Sequence, residues 1–249
     1  MMNYFLNYSN WNRALYKYFF PNGNENPILY LDEDILKKIA EENKIDKCGK
    51  DFSDNLFSCT LISSASLSQF FSDLVTAVGN PNIAGIKDWN GLVGRLKGLT
   101  LSYIDQNANT KVPAYFAMLC SIMLLASRNG ADHRAMNNEA RQYLSVDRCN
   151  PGTLIDELMQ QLHRDFPDFD PDRMVGGQRH MGRIKYHLVL NKAQRDNFID
   201  FIEVNNLRWE CSSFESFVND ILVPALDSKG KNEIIPKVIA EDTALSFKI

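Results

Sequence analysis

Apolar positions recur along this chain mostly at helical spacing. In SNWNRALYKYFF, Trp11, Leu15, Tyr18 and Phe19 fall at i, i+4, i+7 and i+8, an amphipathic helix with an aromatic face, capped by Ser9 or Asn10 and ended by Pro21. PILYLD predicts a short strand or extended link. DEDILKKIAEEN predicts a helix with acids in its first turn and Ile35 and Ile39 on one face. Residues 44–55 are polar and loop-like. SLSQFFSDLVTAVG predicts a third helix, stopped at Gly79. GLVGRLKGLTLSYIDQ predicts a helix despite Gly94 and Gly98. VPAYFAMLCSIMLLAS, with Pro113 in its first turn, is roughly 16 residues long, short of the ~20 a membrane span needs, and predicts a buried core helix. DHRAMNNEARQYLS predicts a more polar helix. NPGTLIDELMQQLHRDF predicts another, with Thr153 as its cap and Asp156 and Glu157 in its first turn.

The period changes after residue 180. Ile184, Tyr186, Leu188 and Leu190 alternate with Arg183, Lys185, His187 and Val189, the pattern of a strand with one buried face. Asn191 and Gln194 form a capping-box pair ahead of KAQRDNFIDFIEVNN, a helix with Phe198, Ile199, Phe201 and Ile202 inward. SFESFVNDILVPAL predicts one more helix. ALSFKI, at the end, has the pattern of a strand seeking a partner.

Composition narrows the class. The 249 residues are 45% hydrophobic and 23% charged, as in an ordinary globular protein. A net charge of -4 excludes a wholesale nucleic-acid coat but leaves room for a local basic groove. Cys48, Cys59, Cys120, Cys149 and Cys211 are scattered and odd in number, which predicts reduced thiols in a cytoplasmic protein rather than a disulfide framework or a zinc site. The aromatic start MMNYFLNYSNWNRALYKYFF lacks the pattern of a signal peptide.

One stretch breaks the acidic background. From Arg173 to Arg195 the chain carries six Lys or Arg and no acid: Arg173, Arg179, Arg183, Lys185, Lys192 and Arg195. A helix, a loop with Gly176 and Gly177, then a basic strand resembles the back half of a winged helix, whose glycine loop is a wing and whose arginines meet phosphates. The plainer alternative is a solvated strand face whose charges pair with Asp165, Asp168, Asp170 and Asp172, and surface charge is the commoner use of such stripes.

Catalytic signatures are weak. Arg128 and His133 in RNGADH fit the loose Arg-x4-His pattern of HEPN-type ribonucleases, where an arginine and a histidine flank an RNA phosphate. Helix termination beside Gly130 explains the same residues more simply. DFDPD, Asp168 to Asp172, offers carboxylates but lacks the glycine and glutamate of an EF-hand loop. PDRM and the later DSK bear a faint likeness to a PD-(D/E)xK nuclease, but DSKGK has the composition of a loop. GLVGRLKG is not a phosphate loop, no GxSxG is present, and four histidines leave little for a metal centre.

WNRALYKYFF, PILYLDEDILKKIAEE, VPAYFAMLCSIMLLASRNG and GRIKYHLVLNKAQRDNFIDFIEVNNLRW occur in an order that resembles the N-terminal helical region of large bacterial anti-phage defence, or conflict-system, proteins. The resemblance rests on hydrophobic patterns. It implies a helical module normally continued by further domains, and it transfers no catalytic residue.

The expectation is therefore a mainly α protein with a few short strands. Residues 1–110 are expected as a helical lobe, and 111–249 as a helical lobe with a winged-helix-like element, or the two as one continuous domain. The expected function is a cytoplasmic, non-catalytic recognition or scaffold subunit of a bacterial antiviral defence complex. It would bind another protein subunit and contact DNA or RNA through Arg179, Arg183, Lys185, Lys192 and Arg195, without metal, cofactor or membrane. The alternatives are a HEPN-like ribonuclease using Arg128 and His133, or another nuclease component, and a purely structural adaptor.

Overall fold

The computed structural model describes residues 4–21, 27, 29, 31–47, 49–62, 67–78, 89–105, 108–129, 133–144, 151–172, 174–175, 178–179, 200, 203–204, 206 and 216. They are mainly helical. In order they form α1 (Tyr4–Phe19), α2 (Glu33–Glu42), α3 (Phe52–Thr60), α4 (Leu67–Val78), α5 (Trp89–Leu96), β1 (Thr100–Asp105), β2 (Ala108–Pro113), α6 (Phe116–Asn129), α7 (His133–Leu144), α8 (Pro151–Asp165), β3 (Met174–Val175) and β4 (Gln178–Arg179). The chain divides into two compact units, Met1–Phe169 and Asp170–Ile249. Residues from both sides of 110/111 thus share the first unit.

The first unit is built around α6. Its residues Phe116 to Ala126 are all buried, as a helix apolar on every face must be. α1, α3, α7 and α8 pack against it. No helix among the described residues is long and apolar enough to cross a membrane.

α1 supplies the first wall. It begins at Tyr4, so Ser9 and Asn10 lie inside the helix and do not cap it. Trp11, Leu15 and Phe19 are buried as expected, Tyr18 is half-buried, and Tyr8 and Tyr16 join the buried face. At the far end of this face, Tyr16 and Phe20 stack at 4.9 Å, Phe20 and Phe166 at 5.1 Å, and Phe116 meets both Tyr16 and Phe20 edge-on at 5.7 Å. Such ring pairs add to plain burial and tie α1, α6 and the end of α8 together.

α2 has Asp32 as its cap, accepting from the Ile35 N–H at 2.9 Å. Its buried residues are Leu36, Ile39 and Ala40, so Ile35 sits at the rim rather than inward. The helix ends with Ile45 N–H on Ala40 O at 2.9 Å and Lys44 N–H on Glu41 O at 3.3 Å. Lys44 has a φ of 55°. This is a Schellman ending with lysine in the left-handed position that glycine usually takes.

Four further departures from the predicted elements follow. Residues 44–55 are not all loop: Asp51 caps α3 by accepting from the Asp54 N–H at 2.9 Å, and Asp54 in return accepts from the Lys50 N–H at 2.9 Å. Gly49 enables this turn, with a φ of 77° and the Asp54 Cβ only 2.9 Å from where a Cβ would stand. Residues 91–106 are not one helix: α5 stops at Leu96, and the alternating TLSYID becomes β1. It pairs antiparallel with β2, Leu101 opposite Val112 and Tyr103 opposite Thr110. Pro113 therefore ends a strand instead of opening α6. In α8 the helix starts at Pro151, which places Thr153 inside it rather than at the cap.

The junction between β2 and α6 carries a buried polar clamp. Pro113, Ala114 and Tyr115 precede α6, and none has a short side-chain oxygen to cap it. Asn12 on α1 does so instead: its Oδ1 accepts from the Ala117 N–H at 2.8 Å, and its Nδ2 donates to Pro113 O at 2.9 Å. The Tyr8 hydroxyl, one turn earlier, donates to Ala114 O. Asn12 is 0% exposed. Next to it, Trp11 Nε1 donates to Asn55 Oδ1 at 2.8 Å, and Asn55 Nδ2 donates to Asp46 O at 2.7 Å. The Tyr103 hydroxyl donates to Ser9 O at 3.0 Å and fastens the hairpin to α1.

In the second unit, β3 and β4 pair antiparallel, Met174 opposite Arg179 and Val175 opposite Gln178. Asp200, Glu203 and Val204 are helical and exposed. The predicted strand of Arg183 to Leu190, the helix 213–226 apart from the helical Ser216, the ALSFKI strand, and Phe198, Ile199, Phe201 and Ile202 lie outside the described residues.

Two substitutions are expected to move stability in opposite directions. Asn12→Ala strands the Ala117 N–H and Pro113 O in the core and should cost about 2–4 kcal/mol in urea unfolding. Gly94→Ala should gain about 0.5–1 kcal/mol, because Gly94 is exposed within α5 and a Cβ there meets nothing within 4 Å.

Candidate functional site

Arg128 stands in the last turn of α6, and His133 is the first residue of α7. The side chain of His133 lies outside the described structure; that of Arg128 is well defined by its partners. Its Nε lies 3.4 Å from Glu33 Oε1, at the start of α2. Its Nη1 lies 3.4 Å from Glu139 Oε1 on α7 and 3.4 Å from Ser53 Oγ on α3. The guanidinium carbon sits 5.5 Å from the centre of the Phe57 ring. One cation thus joins four helices.

The neighbours of Arg128 are themselves tied. Asn129 Nδ2 donates to Glu139 Oε2 at 2.6 Å and to Leu125 O at 2.8 Å, so Glu139 is held by two successive residues of α6. Ser53 donates its hydroxyl to Asp51 Oδ1 at 2.5 Å. Tyr143 on α7 lies against Phe57 at 4.8 Å. For Asp51, partial burial pushes the carboxyl up. The Ser53 hydroxyl, the Asp54 N–H and the Arg128 charge outweigh it, and the group is held below the usual aspartate range.

This arrangement has a clear chemical consequence. A guanidinium flanked by two carboxylates and stacked on a phenyl ring is neutralised and positioned by its own protein. Its geometry is that of an interhelical tie.

Elsewhere in the first unit, the Tyr115 hydroxyl donates to Asp165 Oδ2 at 2.6 Å. Burial, with Asp165 adding to it, raises this phenol well above its ordinary range, so it stays a donor. Lys97 meets Glu157 at 2.6 Å. Cys59 and Cys120 are buried free thiols, and burial raises both, which leaves them protonated and unreactive at neutral pH. No group of three or more His, Cys, Asp or Glu arranged to hold a metal occurs among the described residues. In DFDPD, Asp170 turns inward on its own loop, its Oδ1 accepting from the Asp172 N–H at 2.9 Å.

Of the proposed nucleic-acid contacts, Arg179 is placed by its backbone, as the last residue of β4 opposite Met174; its side chain is not described. Arg183, Lys185, Lys192 and Arg195 lie outside the described residues. Sequence reasoning did not find Glu33, Ser53 or Glu139 as partners of Arg128, because all three are far from it along the chain or on another helix. It also passed over Asn12, although a polar residue four positions from Tyr8 on an aromatic stripe was a visible signal.

No family model, curated protein or solved structure matches this chain.

The Asp51 shift fixes the sign of one pH effect. Its folded carboxyl is more acidic than an unfolded aspartate near pH 3.9, so its contribution is present above that pH and lost as pH falls through the folded value. Asp51→Asn keeps a capping oxygen but removes the titration. Stability at pH 7 should change little, and the fall in stability between about pH 5 and 2 should become shallower in denaturant titrations.

Proposed function

We propose that this protein is a non-catalytic recognition or scaffold subunit that docks on another protein and touches nucleic acid through its second unit. The observation that carries this reading is the charge run: six Lys or Arg from Arg173 to Arg195 without an intervening acid, in a chain whose net charge is -4. The run opens on the antiparallel pair β3 and β4, with Gly176 and Gly177 between them in the sequence. In a wing, a glycine pair lets backbone approach a phosphate closely, and the cations that follow supply counterion release. In this reading the strand pair is the wing of a winged-helix-like element, and Arg179, Arg183, Lys185, Lys192 and Arg195 are the phosphate contacts.

The non-catalytic half of the proposal draws on Arg128. A ribonuclease using Arg128 and His133 needs the guanidinium for an RNA phosphate, whereas here Glu33 and Glu139 already answer its charge. The setting in a bacterial antiviral defence complex rests on the resemblance of its hydrophobic patterns to the N-terminal regions of conflict-system proteins, and the cytoplasmic setting on its five scattered cysteines.

Binding to labelled single- and double-stranded DNA and RNA, measured at about 50 and 200 mM salt, tests this directly. Contact at five phosphates predicts an affinity that falls by roughly a hundredfold or more between the two salts, and a shallower salt slope when Arg183 and Lys185 are both changed to Ala. Absence of binding at the lower salt overturns the nucleic-acid half and leaves a protein-docking module.

A further inference from the structure

α7 differs from its neighbours in how it is held. Among its described residues only Met136 and Ala140 are buried apolar groups, against a continuous buried run from Phe116 to Ala126 on α6. The rest of its attachment is polar or peripheral. Glu139 takes Arg128 and Asn129 from α6, and Tyr143 covers the edge of Phe57. Asn137 Oδ1 is buried and accepts no hydrogen bond among the described residues, which subtracts from the attachment. Elements with few buried apolar contacts and solvent-accessible ties open below the global unfolding free energy.

We infer that α7 is a detachable strap, latched by Glu139 to Arg128 and Asn129, which opens as a unit while α6 and the helices around α1 stay folded. The latch is polar and partly open to solvent, with Glu139 21% and Arg128 32% exposed at their side chains. That makes it sensitive to ionic strength in a way the buried clamp at the other end of α6 is not. Opening removes Tyr143 from Phe57 and takes one of the two carboxylates from Arg128. It therefore uncovers an apolar ring and a partly unanswered cation together, a change of surface that involves none of the basic run.

Amide hydrogen exchange of the full chain, read by mass spectrometry, tests this. Amides 137–144 should exchange faster than amides 120–126, with a weaker dependence on denaturant, because local opening exposes little area. Raising salt to about 0.5 M should speed exchange in α7 a few-fold, up to about 5-fold, and leave α6 unchanged. Glu139→Gln, which keeps the Asn129 contact but loses the charge, should do the same at low salt. Equal protection and equal denaturant dependence in the two helices would overturn the strap. Exchange in α7 that neither salt nor Glu139→Gln moves would overturn the latch. The salt arm uses the unaltered protein, so its result stands even if the variant folds poorly.

Discussion

The first unit depends on the side chain of Asn12. α6 is apolar on every side and must be enclosed, yet enclosure strands the N–H groups of its first turn. The residues before it cannot cap it. Asn12 brings one acceptor and one donor from another helix, and both find backbone partners, Ala117 N–H and Pro113 O. A buried amide is tolerable only when so satisfied. The contact in turn fixes the rotation of α1, since Asn12 can reach α6 only if Tyr8, Trp11 and Leu15 also face inward. The β1–β2 hairpin follows, because Pro113 is its last residue and Tyr103 reaches Ser9 on α1.

The sequence made much of this architecture legible, and the failures have physical causes. α6 was unmistakable because eleven successive buried positions leave no amphipathic alternative. The aromatic face of α1 was readable at Trp11, Leu15 and Phe19, but its start was not: Ser9 and Asn10 are good capping types, and only the tertiary contact from Ser9 to Tyr103 shows why they sit inside a helix. α3 was hidden because its capping residues, Asp51 and Asp54, are also those of a polar loop. β1 was absorbed into α5 because Leu96 and Leu99 continue a helical spacing, and the switch to alternation at Thr100 needs its partner strand to be recognised.

The candidate site was legible in residue type and illegible in context. Arg128 was conspicuous for a spacing of five from His133, and that spacing has no bearing on what its guanidinium meets. Glu33 lies on α2, far away in sequence, and Glu139 one helix later. Charges chosen by sequence proximity are answered by partners chosen by folding. A run of cations without local acids is a stronger signal than a single arginine, since one distant carboxylate can silence one guanidinium, but several evenly spread cations demand several such partners.

The two ends of α6 show how differently polar contacts act within one helix. At its N-terminus, Asn12 and Tyr8 work in a site closed to water, where a lost partner leaves a group with nothing to replace it. At its C-terminus, Arg128 and Asn129 hold Glu139 and Glu33 near solvent, where water and salt offset most of what an ion pair gains. Polar contacts at the two ends therefore carry unequal weight. The N-terminal end locks α1, the hairpin and α6 into one body, and the C-terminal end joins α2, α3 and α7 by ties that can be exchanged for hydration at little cost. A fold arranged this way keeps its core fixed while one edge remains adjustable, because desolvation is complete at one end of its central helix and partial at the other.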